Sequence, residues 1–266
     1  MAQKVLQLIY LGIIVLAVVF GTSCAYAEEP IMITLSSHMQ YAVFDGKWSF
    51  TEEWKQSSLN SFTYDDGTQI ALRSAHEGNF VYIMIDDITG TNYQKGSDFA
   101  LVCFDTNKAR PAIPNSNDYC FDSTLGRAQG IVLQGGSPLG LDGNFRRIAM
   151  PDGSIAIGGV SDSNDRYSSV PHSSYEFRIP LGTIGRLDHY GFYMTVFDSA
   201  NGKFYSYPNG TNPTGILDIP PPTSWGDLVS PDESLPEFPW PALVLVMVVS
   251  FVVAMKLGNS KVFLRF

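Results

Sequence analysis

The sequence predicts an all-β fold in which two antiparallel sheets pack face to face as a sandwich. Three observations predict it. Short runs of strand-like alternation recur through residues 28–230, a period that places alternate side chains on opposite faces. Clusters of Gly, Asp and Asn, which tolerate the φ > 0 conformations of tight turns, separate the runs. No long stretch carries the 3.6-residue period of an amphipathic helix. About a dozen such strands bury their inner faces most simply against one another.

Along the chain the predicted strands are residues 31–35, 40–44, 59–64, 68–74, 80–85, 99–104, 119–122, 128–133, 145–150, 154–160, 175–179, 192–197 and 203–207. The run 80–85 is apolar on both faces, Val81, Ile83 and Ile85 on one and Phe80, Tyr82 and Met84 on the other. That pattern predicts a central strand covered on both sides. Asp65-Asp66-Gly67, Glu77-Gly78-Asn79 and Asn201-Gly202 predict hairpins. Pro151-Asp152-Gly153, set between two alternating runs, predicts the best-defined hairpin of all. Residues 51–56 and 181–186 each predict a turn of helix.

The chain has 17 basic and 26 acidic residues, a formal net charge of −9. Lys4, Lys256, Lys261 and Arg265 lie in the terminal segments, so residues 28–239 hold the other 13 bases and all 26 acids, a balance of −13. Such a surface repels phosphate backbones and anionic lipid heads, which excludes nucleic acid and polybasic lipid docking and favours neutral or cationic ligands.

The termini predict export. Lys4, an apolar run over residues 8–20 and Ala25-Tyr26-Ala27 have the order of a signal peptide, residues 1–27. Cys24 then leaves with it; the alternative, a lipidation cysteine, meets Gly21 where an aliphatic residue belongs. Cys103 and Cys120 remain, an even number in an oxidising compartment, which predicts a disulfide; two buried thiols are the other reading. At the other end a Pro-rich linker, residues 231–239, precedes an apolar segment, 240–257, and a basic tail, 258–266. This is a stop-transfer pattern for a transmembrane helix, with the domain held at the cell surface and the tail in the cytoplasm. Pro236, Glu237 and Phe238 resemble archaeal Pro-Glu-Phe-type sorting signals, which implies an archaeosortase-type processing enzyme that removes the helix; otherwise the helix stays as an anchor.

Five motifs carry a second resemblance. Phe44-Asp45-Gly46-Lys47-Trp48 with Glu53-Trp54-Lys55, the run 79–87, Tyr175-Glu176-Phe177-Arg178-Ile179-Pro180-Leu181, residues 191–198 with Tyr207-Pro208, and Ser224-Trp225-Gly226-Asp227-Leu228 occur in order. Together they resemble the family 9 carbohydrate-binding-module-like and DOMON-like sandwich domains. The resemblance covers residues 36–230, implies a jelly-roll or immunoglobulin-like sandwich, and moves Trp225 from the linker to the edge of the domain. Within that group some members bind sugars and some bind haem, so it implies no single activity.

Sugar binding needs flat ring faces beside polar groups. Trp48, Trp54, Tyr205 and Tyr207 are the candidate rings, the two tyrosines sharing one face of a strand; the alternative places both tryptophans under a sheet. Calcium is the ion the oxygen-rich stretches suit, with Asp105, Asn107, Asn117 and Asp118 as candidate ligands flanked by the cysteines. The alternative is a loop held by Asx turns, with acidic pairs such as Asp86-Asp87 free to ligate instead. Haem is disfavoured: Met84 reads as core and His172, between Pro171 and Ser173, as surface loop. Asn209-Gly210-Thr211 is an N-glycosylation sequon. With no G-x-S-x-G elbow, H-E-x-x-H helix or P-loop in the sequence, the expected function is a non-catalytic surface module that binds carbohydrate or glycan, with a haem redox domain or an adhesive envelope protein as alternatives.

Overall fold

The computed structural model describes residues 29–138, 144–215 and 218–230. The signal peptide, the linker, the sorting motif Pro236 to Phe238, the hydrophobic segment and the basic tail lie outside the described residues. Fourteen strands follow in order: β1 (Ile31–Met32), β2 (Thr34–Leu35), β3 (Ser58–Thr63), β4 (Gln69–Glu77), β5 (Phe80–Asp86), β6 (Phe99–Asp105), β7 (Asp118–Thr124), β8 (Ile131–Gln134), β9 (Arg146–Ile148), β10 (Ile155–Val160), β11 (Ser173–Pro180), β12 (His189–Asp198), β13 (Lys203–Tyr207) and β14 (Gly226–Val229). One helical turn, α1 (Leu181–Ile184), follows β11.

Two sheets form. One runs β1-β14-β12-β6-β7-β8-β9 with β13 also on β12; the other runs β10-β11-β5-β4-β2 with β3 also on β4. Nearly every pairing is antiparallel; β1 with β14 and β2 with β4 are parallel. Val81, Ile83, Ile85, Phe177 and Ile179 of one sheet meet Val102, Phe104, Phe121, Phe192 and Met194 of the other in a single buried core, the packing that apolar inner faces require. β5 is central, as its two apolar faces predict: Ile83 is 0% exposed in the inter-sheet core, where truncation to Ala costs about 2–5 kcal/mol. The opposite face of β5 carries Tyr82 and Met84 into a second cluster with Trp48 and Trp54. A third cluster covers the outer face of the other sheet, with Trp225 between Phe145 and Tyr193 at ring separations of 6.5 and 6.2 Å.

Three local expectations change. Residues 40–44 form no strand; Met39–Tyr41 is a 3-10 turn, and the following backbone donors go to side chains, Val43 N to Glu53 Oε1 at 2.7 Å and Asp45 N to Glu176 Oε2 at 3.0 Å. With these donors taken by side chains, the segment has no ladder to join. Residues 51–56 form successive turns without a helix. Pro151-Asp152-Gly153 makes a turn but no hairpin: β9 pairs with β8 and β10 with β11, so the chain crosses there from one sheet to the other. Turn chemistry fixes the local reversal and leaves open which sheet receives the next strand.

Candidate functional site

The motif residues converge on Glu176 of β11. This carboxylate is 0% exposed and accepts Gly46 N at 2.7 Å and Asp45 N at 3.0 Å on one oxygen and Trp54 Nε1 at 2.9 Å on the other. Burial pushes its pKa up to about 8 against the pull of those donors. Gly46 sits at φ +84 with its missing Cβ 2.2 Å from Gly159 N, so no side chain fits between this turn and β10. Glu53 accepts Val43 N and Ser49 N, both at 2.7 Å, and closes the same loop.

These contacts explain why the tryptophans form no platform. Trp48 and Trp54 are each 0% exposed beneath the loop of residues 36–57. Trp48 donates to Phe50 O at 2.5 Å and lies under the Arg73 guanidinium, 5.1 Å from its ring. The acidic-Trp motif is a structural clasp on the outer face of its sheet.

Tyr205 and Tyr207 point into the core side of β13, 4% and 1% exposed, so neither offers a free ring face. They nevertheless line an edge. β3 and β13 are the edge strands of opposite sheets, and the sandwich closes where they meet: Phe62 packs on Tyr207 at 5.6 Å, Tyr64 packs on Tyr205 at 5.1 Å, and Tyr64 Oη donates to Ser206 O at 3.2 Å. Above this seam lies an open cleft of 410 Å³, lined by Tyr64, Asp66, Lys203, Phe204, Tyr205 and Asn209 among others. Asp66 is its polar centre, accepting Lys203 Nζ at 2.7 Å and Tyr205 Oη at 3.0 Å. The ammonium of Lys203 holds the Asp66 carboxyl well below the usual carboxylate range. A neighbouring cleft of 370 Å³ lies further along the seam, lined by Asn60, Ser61, Phe62, Tyr207 and the start of β1. There Asn60 Nδ2 is buried and lacks a hydrogen-bond partner. From Asn60 to Tyr64 the two clefts follow one strand edge for about 13 Å at 3.3 Å per residue. Half-buried Tyr64 and Phe204 supply apolar ring surface, beside a carboxylate, an ammonium and the Asn209 amide.

The cysteines are bonded, Cys103 to Cys120, across β6 and β7. Asp105 and Asp118 face each other two residues further along that ladder. Their oxygens hold loop amides: Asp105 accepts Asn107 N and Arg110 N at 3.2 and 2.7 Å, and Asp118 accepts Asn115 N at 2.6 Å. Asn107 Oδ1 accepts Ala109 N at 3.2 Å, and Asn117 N donates to Asn115 Oδ1 at 2.8 Å. Asx turns therefore organise this loop, while Asp118 Oδ1 is buried without a hydrogen-bond partner. Burial, with Asp105 alongside, lifts Asp118 to about 6.

His172 is not on the surface. It is 0% exposed, with Nε2 2.5 Å from Asp86 Oδ1. Pro171 disguised it, since the strand β11 starts at the very next residue. Sequence reasoning also missed Tyr64, Asp66 and Lys203. The available signal was an Asp-Asp-Gly turn and an Asn-Gly turn, each adjoining a tyrosine-bearing edge run.

No family model and no curated protein matches this chain. Solved structures similar to it include two carbohydrate-binding modules. One is a family 9 carbohydrate-binding module from Caldicellulosiruptor kristjanssonii in complex with cellotriose, 13% identical, covering 76% of this chain and 93% of that one, with a TM-score of 0.46. The other is a family 9 module from the same organism in complex with glucose, 14% identical over 76% of this chain and 95% of that one, with a TM-score of 0.43.

Proposed function

We propose that this chain is a non-catalytic glycan-binding module held on the outer face of a membrane, taking neutral polysaccharide along the β3–β13 seam. The observation that carries the reading is the pair of adjoining clefts, 410 and 370 Å³, which follow one edge instead of forming a closed pocket. An extended groove suits a linear chain of sugars. Its chemistry suits them too: Tyr64 and Phe204 meet C–H faces, while Asp66, Lys203 and Asn209 meet hydroxyls. The acidic balance of the domain selects against polyanionic glycans. The hydrophobic segment 240–257 supplies the anchor, and a sorting enzyme acting at Pro236-Glu237-Phe238 would replace that anchor by a covalent one.

Affinity electrophoresis of the full-length chain through gels containing neutral polysaccharides tests the reading. Retarded migration is expected for the unmutated chain, with Tyr64→Ala weakening binding about tenfold or more, the equivalent of about 1.4 kcal/mol. Free migration in cellulosic, xylan and mannan gels alike would remove the proposal.

A further inference from the structure

We propose that Asp86, Asp165 and His172 are the ligands of a divalent transition-metal site that staples the loop of residues 161–172 to the central strands. Asp86 ends β5, His172 precedes β11 beside it, and Asp165 comes from the loop, so the three ligands join two neighbouring strands to one covering segment. One ligand atom from each lies within 4.8 Å of the others. All three side chains are buried, at 1%, 0% and 0% exposure.

Three independent features of the cluster call for a cation. Asp86 Oδ2 and Asp165 Oδ2 are buried and have no hydrogen-bond partner, a state that costs free energy for any polar group and more for a charged one. His172 Nδ1 lies 2.7 Å from Val170 O, which can only accept, so Nδ1 carries a hydrogen and Nε2 is the nitrogen turned toward the carboxylates. A hydrogen-bonded Nδ1 of this kind, with Ser161 Oγ also 2.8 Å away, is the usual setting of a metal-bound imidazole. The charge balance points the same way. With Nε2 2.5 Å from Asp86 Oδ1, a proton occupies that contact; the Asp86 and Asp165 carboxyls also approach each other side chain to side chain, so a second proton or a cation must lie between them to cancel the remaining negative charge. A divalent ion in place of both protons, with neutral imidazole, brings the sum to zero.

The dimensions fit. Ligand bonds of about 2.0–2.2 Å set neighbouring ligand atoms roughly 3.3 Å apart around a tetrahedral ion. The Nε2 separations from Asp86 Oδ1 and Asp165 Oδ1 are 2.5 and 3.9 Å, on either side of that value. One nitrogen with two carboxylates matches zinc or a similar ion better than calcium, which takes oxygen ligands in larger number. The enclosure of the site makes the role structural, with a second carboxylate oxygen, Asp86 Oδ2 or Asp165 Oδ2, as the fourth donor.

The test is zinc titration of the full-length chain after removal of metals with a chelator, followed by calorimetry and thermal unfolding, with Ca²⁺ as control. We expect one zinc per chain and a Tm rise of about 5 °C or more at hundredfold excess over Kd, with no response to Ca²⁺. Ser161→Ala should weaken zinc about tenfold with the fold intact. Asp165→Asn should abolish the zinc-dependent rise and yet raise the Tm of the metal-free protein, because it removes a buried charge while its amide oxygen still accepts Tyr167 N, which donates to Asp165 Oδ1 at 2.7 Å. Loss of the rise in His172→Gln would support the site. Should that variant not fold, cobalt substitution of the unmutated chain decides, visible absorption of a four-coordinate nitrogen–oxygen site supporting the proposal and its absence overturning it. No zinc binding, or a zinc response unchanged in both Asp165→Asn and His172→Gln, would overturn it as well.

Discussion

Replacing Glu176 by Ala separates the structural clasp from the binding surface and has a cost that depends on pH. The change strands two buried donors, Gly46 N and Trp54 Nε1, at about 2 kcal/mol each, or about 4 kcal/mol together. Against this stands the burial that raises Glu176 to about 8 from its ordinary 4.5. A folded pKa above the unfolded one means that the folded chain holds the proton more tightly. The stability linked to Glu176 is therefore complete below pH 4.5 and declines by about 1.4 kcal/mol per pH unit as pH rises toward 8. At pH 5 little has been lost, and Glu176→Ala should cost about 3–4 kcal/mol in urea unfolding. At pH 7.5 the unmutated chain carries a penalty of about 4 kcal/mol that the variant escapes, so the difference should shrink to near zero. Retention on a polysaccharide gel should be unchanged in folded variant protein, because Glu176 lies on the opposite side of its sheet from the seam. A cost equal or greater at pH 7.5 would show an ionised carboxylate stabilised by its N–H donors and would refute the reasoning. Lost glycan retention in a folded variant would instead return the motif to the binding site.

Other consequences are as specific. Gly46→Ala puts a Cβ 2.2 Å from Gly159 N at a φ of +84; the left-handed backbone and the overpacking together should lower stability by about 2–5 kcal/mol in the same assay, and a loss under 1 kcal/mol would contradict the close approach. Replacing both Cys103 and Cys120 by Ala opens a link of sequence separation 17 and should cost about 3 kcal/mol by chain entropy, read as a lower urea midpoint. In the unmutated chain Asp87 and Asp122, each lifted by burial to about 7 from 3.8, reinforce Glu176. Tm should therefore fall as pH rises from 5 to 8, and a Tm that climbs across that window would be the contrary result.

Much of the fold was legible because strand alternation reports burial directly. The two apolar faces of residues 80–85 placed β5 at the centre of a sheet, and the glycine turns at Gly67, Gly78 and Gly202 marked the hairpins that form. The count of cysteines pointed to the bond that β6 and β7 make. What failed depended on contacts distant in sequence. Nothing near Val43 reveals that its amide goes to Glu53, and nothing at Gly153 says that β10 joins the other sheet. Trp48 and Trp54 have the composition of a sugar platform, but the loop carrying them is folded inward by Glu176, more than a hundred residues away. The seam itself is a product of topology: Tyr64 and Tyr205 meet only because each ends up on the edge strand of its own sheet. His172 and Asp165 were hidden for the same reason, as a Pro-flanked loop reads as surface until Asp86 is seen beneath it.

Hydrogen-exchange footprinting of the full-length chain with a retained neutral polysaccharide tests the location of the binding surface most directly, since bound sugar slows exchange where it covers edge backbone. The account predicts protection over residues 60–66 and 203–209, with no change over 44–55. Protection confined to 44–55, around Trp48 and Trp54, would contradict it.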